Sequence, residues 1–288
     1  MKGKAVVHGA VTIINAISTG KGGALGIDLK TEATVELIKG SKDIEVELVG
    51  GREEDPTLAK EAVTVVLNHF SINKMGAHVR IVSEIPIARG LKSSSVAANS
   101  IVLATVAALG KKIPDEEVVK LGVDAAFKAK VTITGAYDDA CASYFGGVVL
   151  TDNYERKVLK REQVDENLVA VLYVPKERTY TQKFPKERLY PLKYAVQMAF
   201  ELAVQGEYWK ALTLNGLVHS SALGLPTKPA IDALLVGALA SGLSGTGPAV
   251  AAIADKESEI KISKLWSKLY GKVLRANLTN QKARCSSG

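Results

Sequence analysis

The sequence predicts an α+β protein, and three observations support this fold class. Residues 44–48 read Ile-Glu-Val-Glu-Leu, and this alternation of apolar and charged side chains is typical of a strand with one face in water. Residues 96–109 are nearly all apolar, as in a buried helix. In each half of the chain, helical patterns stand beside antiparallel strand patterns, which favours α+β over a doubly wound parallel sheet. A length of 288 residues indicates about two domains.

The elements of the first half follow from local patterns. A helix starts at Asp55-Pro56-Thr57, because apolar residues recur at helical spacing through residue 70. Pro114 opens another helix with acids in its first turn, where the helix dipole favours negative charge. Strand patterns occur at residues 5–8, 11–17, 33–38, 44–49, 77–85 and 146–151.

The second half begins after a charged stretch, residues 152–166, where we place the domain boundary. The predicted domains are therefore residues 1–155 and 156–288. In the second domain, the patterns predict strands at residues 168–174, 249–254 and 271–278 and helices at residues 185–204, 208–223, 229–240 and 257–269.

Composition narrows the class of protein. Hydrophobic residues make up 47% of the chain and charged residues 23%, as in ordinary globular proteins. The longest apolar run, residues 101–109, is too short to cross a bilayer. The first residues lead into a short strand pattern rather than a signal peptide. We therefore expect a cytoplasmic protein with no membrane partner.

The net charge, the cysteines and the histidines bear on which ligands the protein can bind. The net charge of +7 suits either nucleic acid or anionic substrates. Only 6% of the residues are aromatic and the basic residues are spread along the chain, so nucleic-acid binding is not favoured. Cys141 and Cys285 form no disulfide framework, and the four histidines show no zinc spacing. A bound metal would be magnesium, held through oxygens and substrate phosphates.

The junction between the strand pattern of residues 77–85 and the apolar helix carries the strongest chemical signal. Small and hydroxyl residues at such a junction leave backbone N–H groups unpaired at the positive end of a helix, which suits a phosphate. Serines before a helix also act as plain N-caps, but three in a row exceed what capping requires. The junction consists of Pro86, Ile87, Ala88, Arg89, Gly90, Leu91, Lys92, Ser93, Ser94, Ser95 and Val96.

Other nucleotide-binding motifs are absent, and three further patches remain. No Gly-Lys pair precedes Ser or Thr, which excludes a Walker A loop, and Gly-x-Gly-x-x-Gly is missing. The glycine-rich residues 20–28 allow close approach to a ligand or form a flexible hairpin. The pair Asp138-Asp139 suits a base and metal ligand or a helix cap. Residues 241–248 interleave glycines with hydroxyls, as in a ligand lid or a bare connection.

Taken together, these motifs resemble those of the GHMP small-molecule kinases. The junction at residues 86–96 is similar to that family's Pro-x3-Gly-Leu-Gly-Ser-Ser-Ala-Ala phosphate loop. Residues 241–248 resemble its third, glycine-rich motif, and Gly3-Lys4-x4-Gly9 resembles its N-terminal signature. The three motifs occur in the family's order. The resemblance implies a two-domain fold, with an N-terminal α/β-type sandwich that contains a mixed sheet and a C-terminal ferredoxin-like domain.

The resemblance also implies cofactors and residue roles. ATP phosphates would bind the junction and the loop with Gly245 and Gly247, and Mg²⁺ would bind Ser94 and a carboxylate. Asp124 is the candidate for that carboxylate, with an exposed helix acid as the alternative. When the chain is aligned with the family from residues 146–147 backwards, Asp138 matches the family's catalytic aspartate. Alignment with other family members matches Asp139 to that residue instead. Lys4 matches the lysine that lies near that aspartate in the family.

Within the family, the chain is most similar to the archaeal branch that acts on shikimate. The pointers are Lys92, which stands where the family usually has glycine, the stretch at residues 134–143, and Asn15-Ala16-Ile17. This similarity implies transfer of a phosphoryl group from ATP to a shikimate hydroxyl, giving shikimate 3-phosphate. The predicted partner is shikimate alone, and the protein is a monomer or homodimer. Another GHMP kinase, such as a homoserine kinase, is the first alternative, and a non-catalytic RNA-binding protein is the second.

The sequence leaves two features of the binding site undecided: the role of Lys92 and the basic residue that binds the substrate carboxylate. Lys92 either adds positive charge towards the phosphates or is a solvated surface side chain. The shikimate carboxylate needs a basic partner, and Arg80, Arg178 and Arg284 are candidates of equal standing. Residues 20–28 and Thr134 are expected to contribute to this side.

Overall fold

The computed structural model of the chain describes residues 1–50, 55–87, 89–177 and 186–288. Its larger sheet has seven strands in the order β11-β1-β2-β4-β3, and β5 and β6 extend it beside the first residues of β2. Every pairing is antiparallel except that of β3 with β4, so the sheet is mixed, as the resemblance implied. These strands are β1 (Lys2–Ile14), β2 (Lys21–Lys39), β3 (Ile44–Leu48), β4 (Met75–Ser83), β5 (Val148–Asp152), β6 (Lys157–Glu162) and β11 (Arg284–Ser287).

Helices of the first half pack against this sheet. The central one is buried along most of its length, which explains why its sequence is apolar all round. It lies so close to β1 that a Cβ atom at Gly3 would overlap the carbonyl oxygen of Ala104. The helices are α1 (Thr57–His69), α2 (Ser93–Ala108), α3 (Asp115–Lys128) and α4 (Tyr137–Phe145), with α2 the central one.

The second sheet has four antiparallel strands in the order β10-β7-β9-β8. On one side, α7 and α8 cover it around the fully buried Trp266. On the other side, α6 contacts both β8 and β1, so it joins the two sheets. The elements are β7 (Val169–Pro175), α5 (Lys193–Val204), α6 (Tyr208–Leu223), α7 (Lys228–Leu235), β8 (Ala240–Leu243), β9 (Val250–Ala254), α8 (Lys256–Trp266) and β10 (Gly271–Asn277).

The structure corrects several predicted elements. Residues 21–28 open β2 instead of forming a loop, and residues 5–17 contain one strand instead of two. The helix predicted to reach residue 240 ends at Leu235, because Gly237 has a φ of +109° and the N–H groups of Gly237 and Ala238 bond the carbonyl oxygens of Leu234 and Ala233, which closes the last turn. Residues 240–243 then form the buried edge strand β8. The boundary predicted between residues 155 and 156 does not coincide with the division between the sheets. The later strands β6 and β11 pair with β5 and β1, in the first sheet.

In the described parts of the chain, no helix combines the length and apolar character that a bilayer-spanning segment needs.

Candidate active site

Three segments that are far apart in the sequence meet at one cleft: the end of β1, the junction before α2 and the loop after β8. The Ser244 hydroxyl donates to the carbonyl oxygen of Gly90 at 2.8 Å and accepts from the Thr12 backbone N–H at 3.3 Å. The Gly245 N–H donates to the Thr12 hydroxyl at 2.7 Å, and the Asn15 side chain donates to the Gly245 carbonyl oxygen at 3.0 Å. The predicted third motif therefore lies directly on the predicted phosphate loop.

Glycine is required at two of these contacts. Gly90 has a φ of +82°, and a Cβ atom there would overlap the carbonyl oxygen of Ser244. Gly245 has a φ of +60°, and a Cβ atom there would lie 3.0 Å from Lys92 Nζ. Only a residue without a side chain fits such backbone conformations and such close approaches at no cost.

The N-terminus of α2 faces the cleft with its first turn. Lys92 occupies the N-cap position, with a φ of +66°, and its side chain makes no capping hydrogen bond to the helix. The three serines follow it inside the first turn and line the cleft. They are therefore not the N-cap of the helix, and the plain-cap alternative is wrong. An uncapped helix N-terminus in an open cleft is a suitable site for phosphate.

The junction predicted to bind ATP divides into cleft-lining and structural residues. Gly90, Lys92, Ser93, Ser94 and Ser95 line the cleft, as Gly245 does. Leu91 and Val96 are buried in the core, and the Arg89 guanidinium donates to the Lys176 carbonyl oxygen at 2.5 Å. The cleft lining does not include Pro86, Ile87 or Gly247. The Gly247 N–H donates to the Ser244 carbonyl oxygen and so shapes its loop. Ala88 lies outside the described residues.

Opposite α2, the first turn of α4 brings the two acids into the cleft. Asp138 and Asp139 are both buried. Lys92 Nζ lies 2.9 Å from Asp139 Oδ1, and the two side chains are only 8% and 12% exposed. The alternative of a solvated Lys92 is therefore wrong, because its ammonium group is buried against a carboxylate.

Asp138 is held by different partners. The Asn153 amide donates to Asp138 Oδ1 at 2.8 Å, and Asn153 Oδ1 accepts the backbone N–H of Asp138 at 3.2 Å. On the other side, a Cβ atom at Gly22 would lie 2.5 Å from Asp138 Oδ2. The glycine-rich start of β2 thus gives this carboxylate room, rather than forming a flexible hairpin.

Burial dominates the electrostatics of the cleft. It raises the pKa of Asp138, and the neighbouring charge of Asp139 raises it further, while Lys92 opposes the rise. Burial also raises the pKa of Asp139, again against Lys92. His219 on α6 is fully buried, and burial together with the Lys92 charge lowers its pKa to about 4, so its imidazole is neutral near pH 7. Sequence reasoning did not single out this histidine, since nothing in its spacing marks it.

The structure corrects the assignments of Lys4 and Asp124. Lys4 lies near the start of β1, whereas the cleft lies beyond the strand's other end, about 35 Å away at the usual rise per residue. Its ammonium group pairs with Glu32 at 2.9 Å. Asp124 is half-exposed on α3 and pairs with Arg156 at 2.8 Å. Neither residue lines the cleft, and Lys92 occupies the place beside the acids that was assigned to Lys4.

The remaining wall of the cleft comes from two short segments. One is Asn15-Ala16-Ile17 after β1, and the other is residues 131–134 before α4, including the predicted Thr134. In the sequence, the two threonines before Gly135, Thr132 and Thr134, are the feature that could have identified the second segment. Of the basic candidates, Arg80 pairs with Glu47 at the surface, Arg284 lies on the exposed strand β11, and Arg178 lies outside the described residues.

Known proteins are similar to this chain in sequence and in fold. The family model named GHMP kinases N terminal domain matches residues 57–147, from α1 to the turn after α4. The shikimate kinase of Methanothrix thermoacetophila is 45% identical over 284 residues, covering 99% of this chain and 96% of that protein. The chain belongs to the shikimate kinase family of the GHMP kinases. Another family member, the shikimate kinase of Pyrococcus furiosus, is 46% identical and covers 95% of this chain and 98% of its own.

Solved structures of more distant GHMP kinases share the fold of this shikimate kinase family member. The homoserine kinase of Cytophaga hutchinsonii superposes with a TM-score of 0.77, covering 98% of this chain and 97% of its own at 20% identity. The predicted α+β GHMP kinase fold is therefore confirmed.

Proposed function

We propose that this protein transfers the γ-phosphoryl group of ATP to a hydroxyl group of shikimate, giving shikimate 3-phosphate. The observation that carries the proposal is the ion pair between Lys92 and Asp139. It joins the residue that opens the phosphate-facing helix to the acidic pair, so that one cleft contains both a site for the donor phosphates and a base for the acceptor alcohol. The names of the relatives supply the acceptor.

The donor side of the reaction rests on α2. Backbone N–H groups in the first turn of a helix, together with its dipole, attract phosphate oxygens. Lys92, at the N-cap of this helix, adds an ammonium group whose charge is partly balanced by Asp139. Phosphoryl transfer passes through a loose transition state with charge spread over the phosphoryl oxygens, so positioning and charge neutralisation supply most of the rate.

The acceptor side rests on the acidic pair. Asp138 is held by a neutral amide and Asp139 by a cation. We assign Asp138 as the group that takes or orients the proton of the attacking hydroxyl, and Asp139 as the fixed counter-charge of Lys92. A carboxylate whose pKa is raised towards neutral pH is a more effective base than one with an ordinary value.

Magnesium fits this cleft as a companion of ATP rather than as a resident ion. Within the described parts of the chain, no cluster of three or more acidic, histidine or cysteine side chains is arranged to hold a metal. The Ser94 hydroxyl lines the cleft and is a hard oxygen donor of the kind Mg²⁺ takes beside nucleotide phosphates. When bound, the ion would neutralise charge on the β- and γ-phosphoryl oxygens.

A coupled ADP-release assay tests the proposed function. Wild-type protein with MgATP would be given shikimate, homoserine or mevalonate in turn, and we expect ADP release with shikimate alone. Turnover of homoserine without turnover of shikimate would overturn the proposed acceptor. The expectations of a cytoplasmic monomer or homodimer without nucleic-acid or membrane partners stay predictions.

An Asp138→Asn variant tests the proposed base. We expect its turnover to fall about 1000-fold, while binding of a non-hydrolysable ATP analogue, measured by calorimetry, stays within a few-fold of wild type. An unimpaired variant would move the base to Asp139 or remove a side-chain base from the mechanism.

A further inference from the structure

Asn153 is a buried residue just beyond β5 that no sequence motif marks. Its side chain makes four hydrogen bonds. Oδ1 accepts the Asp138 backbone N–H at 3.2 Å and the Thr151 hydroxyl at 2.6 Å. Nδ2 donates to Asp138 Oδ1 at 2.8 Å and to the Thr134 hydroxyl at 3.2 Å. Because a backbone N–H only donates, these partners fix which end of the amide is oxygen.

We propose that Asn153 is a positioning residue that fixes the carboxylate of Asp138 and thereby makes Asp138, not Asp139, the base of the phosphoryl transfer. The inference rests on the proposed function. Asn153 binds both the backbone and one carboxylate oxygen of Asp138, so neither the residue nor its side chain rotates freely. The second oxygen, Oδ2, lies against Gly22 and is left without a bond from Asn153.

The two adjacent acids therefore have different partners. Asp139 Oδ1 faces the Lys92 ammonium group, and a proton taken up there would break a buried ion pair. Asp138 has a neutral amide partner, which accommodates either protonation state at lower cost. The Asn153 amide also donates to the hydroxyl of Thr134, which belongs to the segment before α4 that lines the cleft. It thus ties the orientation of Asp138 to the wall against which an acceptor alcohol would lie.

The chain offers a matched comparison for Asn153. Asn99 on α2 is another fully buried asparagine that holds α4, donating to the Ala140 carbonyl oxygen at 2.8 Å and to the Ser143 hydroxyl at 3.2 Å. None of its hydrogen bonds reaches either acid. If the first turn of α4 only needs to be anchored, variants at Asn99 and Asn153 will behave alike. If Asn153 acts on the carboxylate, only its variants will change the protonation behaviour of Asp138.

The experiment measures kcat, KM for ATP and the pH profile of kcat for Asn153→Ala, Asn153→Asp and Asn99→Ala. For Asn153→Ala we expect kcat to fall about 10- to 100-fold with KM for ATP changed less than about threefold. For Asn153→Asp the acid limb of the profile should move up by about one pH unit, because a carboxylate replaces the donor. The ionisable groups that act on Asp138 in the described structure are Asp139, Lys92 and Cys141, and none of the three variants replaces any of them.

Two results would overturn the inference: an Asn153→Asp profile that coincides with wild type, or an Asn99→Ala profile that shifts equally. If the Asn153 variants do not fold, Thr151→Val removes one bond to Asn153 at nearly constant volume, and an unchanged kcat in that variant would also overturn it. Failure of the proposed function is seen separately, as absence of shikimate-dependent ADP release by wild type. In that case ¹³C NMR titration of the aspartate carboxyls without substrate gives the same comparison between wild type and Asn153→Asp, and coincident titrations overturn the inference.

Discussion

Lys92 Nζ and Asp139 Oδ1 form a buried ion pair across the cleft, 2.9 Å apart. One partner opens the helix whose first turn faces the donor phosphates, and the other belongs to the acidic pair at the start of α4. A buried charge is tolerated when it is paired, and removal of one partner leaves the other uncompensated. The pair therefore couples the stability of the site to its charge balance.

Replacing Lys92 with Met should lower kcat by at least about 100-fold, because the cation beside the transferred phosphoryl group is lost. The free energy of unfolding should fall by about 3 kcal/mol at pH 8, where Asp139 is left charged and buried, and by less at pH 5. Urea unfolding at the two pH values measures this difference. The double variant Lys92→Met/Asp139→Asn should regain stability but not activity. Equal stability of Lys92→Met and wild type at pH 8 would contradict the prediction.

The left-handed backbone of Lys92 makes an independent prediction. At a φ of +66°, a side chain crowds the backbone, so glycine is the preferred residue. Lys92→Gly should be more stable to urea than Lys92→Ala by about 1 kcal/mol, although both lose the ion pair. Lys261, exposed near the middle of α8 and paired with Glu257, is the control, because both of its variants also lose an ion pair. There glycine should be the less stable of the two by a similar amount. If the alanine variant were more stable than the glycine variant at both positions, the backbone of Lys92 would not be strained.

A methyl group at Gly22 should displace the Asp138 carboxylate. Its Cβ atom would lie 2.5 Å from Asp138 Oδ2, well inside contact distance. We expect Gly22→Ala to lower kcat by about 100-fold while ATP binding stays near wild type, since a shift of about 1 Å at a reacting group has such a cost. At Gly110, a Cβ atom meets open space at a φ of +64°, so Gly110→Ala should cost only about 1 kcal/mol of backbone strain and leave kcat unchanged. Wild-type kcat in Gly22→Ala would refute the placement of Asp138.

The pH dependence of stability and activity should run in opposite directions. Burial raises the pKa of Asp138 to about 7, above the ordinary value of 3.8, so the folded protein keeps a proton that the unfolded chain releases. Stability from this group should therefore fall as the pH rises from about 4 to about 7. Asp138→Asn removes the effect, and its stability relative to wild type should grow by about 1–3 kcal/mol between pH 5 and pH 8.

Activity needs the ionised base, so kcat/KM of wild type should decline below about pH 7. Urea unfolding and a pH–rate profile on the same preparation check both statements. An acid limb that begins only near pH 4 would show that the base has an ordinary pKa.

Magnesium dependence should separate Ser94 from Asp124. Ser94 lines the cleft, whereas Asp124 pairs with Arg156 on α3. Ser94→Ala should raise the Mg²⁺ concentration for half-maximal activity by about tenfold, and Asp124→Asn should leave it unchanged. Removal of divalent cations with a chelator should abolish turnover in all three proteins. A tenfold effect of Asp124→Asn would restore the original assignment of that residue as a metal ligand.

Much of the fold could be predicted because it depends on short-range patterns. The alternation at residues 44–48 and the helical spacing after Asp55 are local signals, and the strand β3 and helix α1 occur where they indicate. The edge strands β8 and β11 were missed. Their residues become strands through long-range pairing with β9 and β1, which no local pattern reveals.

The sequence by itself determined the family, the phosphate-facing junction and the acidic pair, because these are contiguous runs whose chemistry is visible in the order of residues. Only the tertiary structure decided how the runs meet. It placed Lys92 beside Asp139, moved Lys4 to the far end of β1 and brought Asn153 onto Asp138. The physical reason is that burial and pairing depend on distances between segments that are remote in the chain. A lysine in a sequence is a surface charge or a buried counter-ion according to what the fold puts within 3 Å of it.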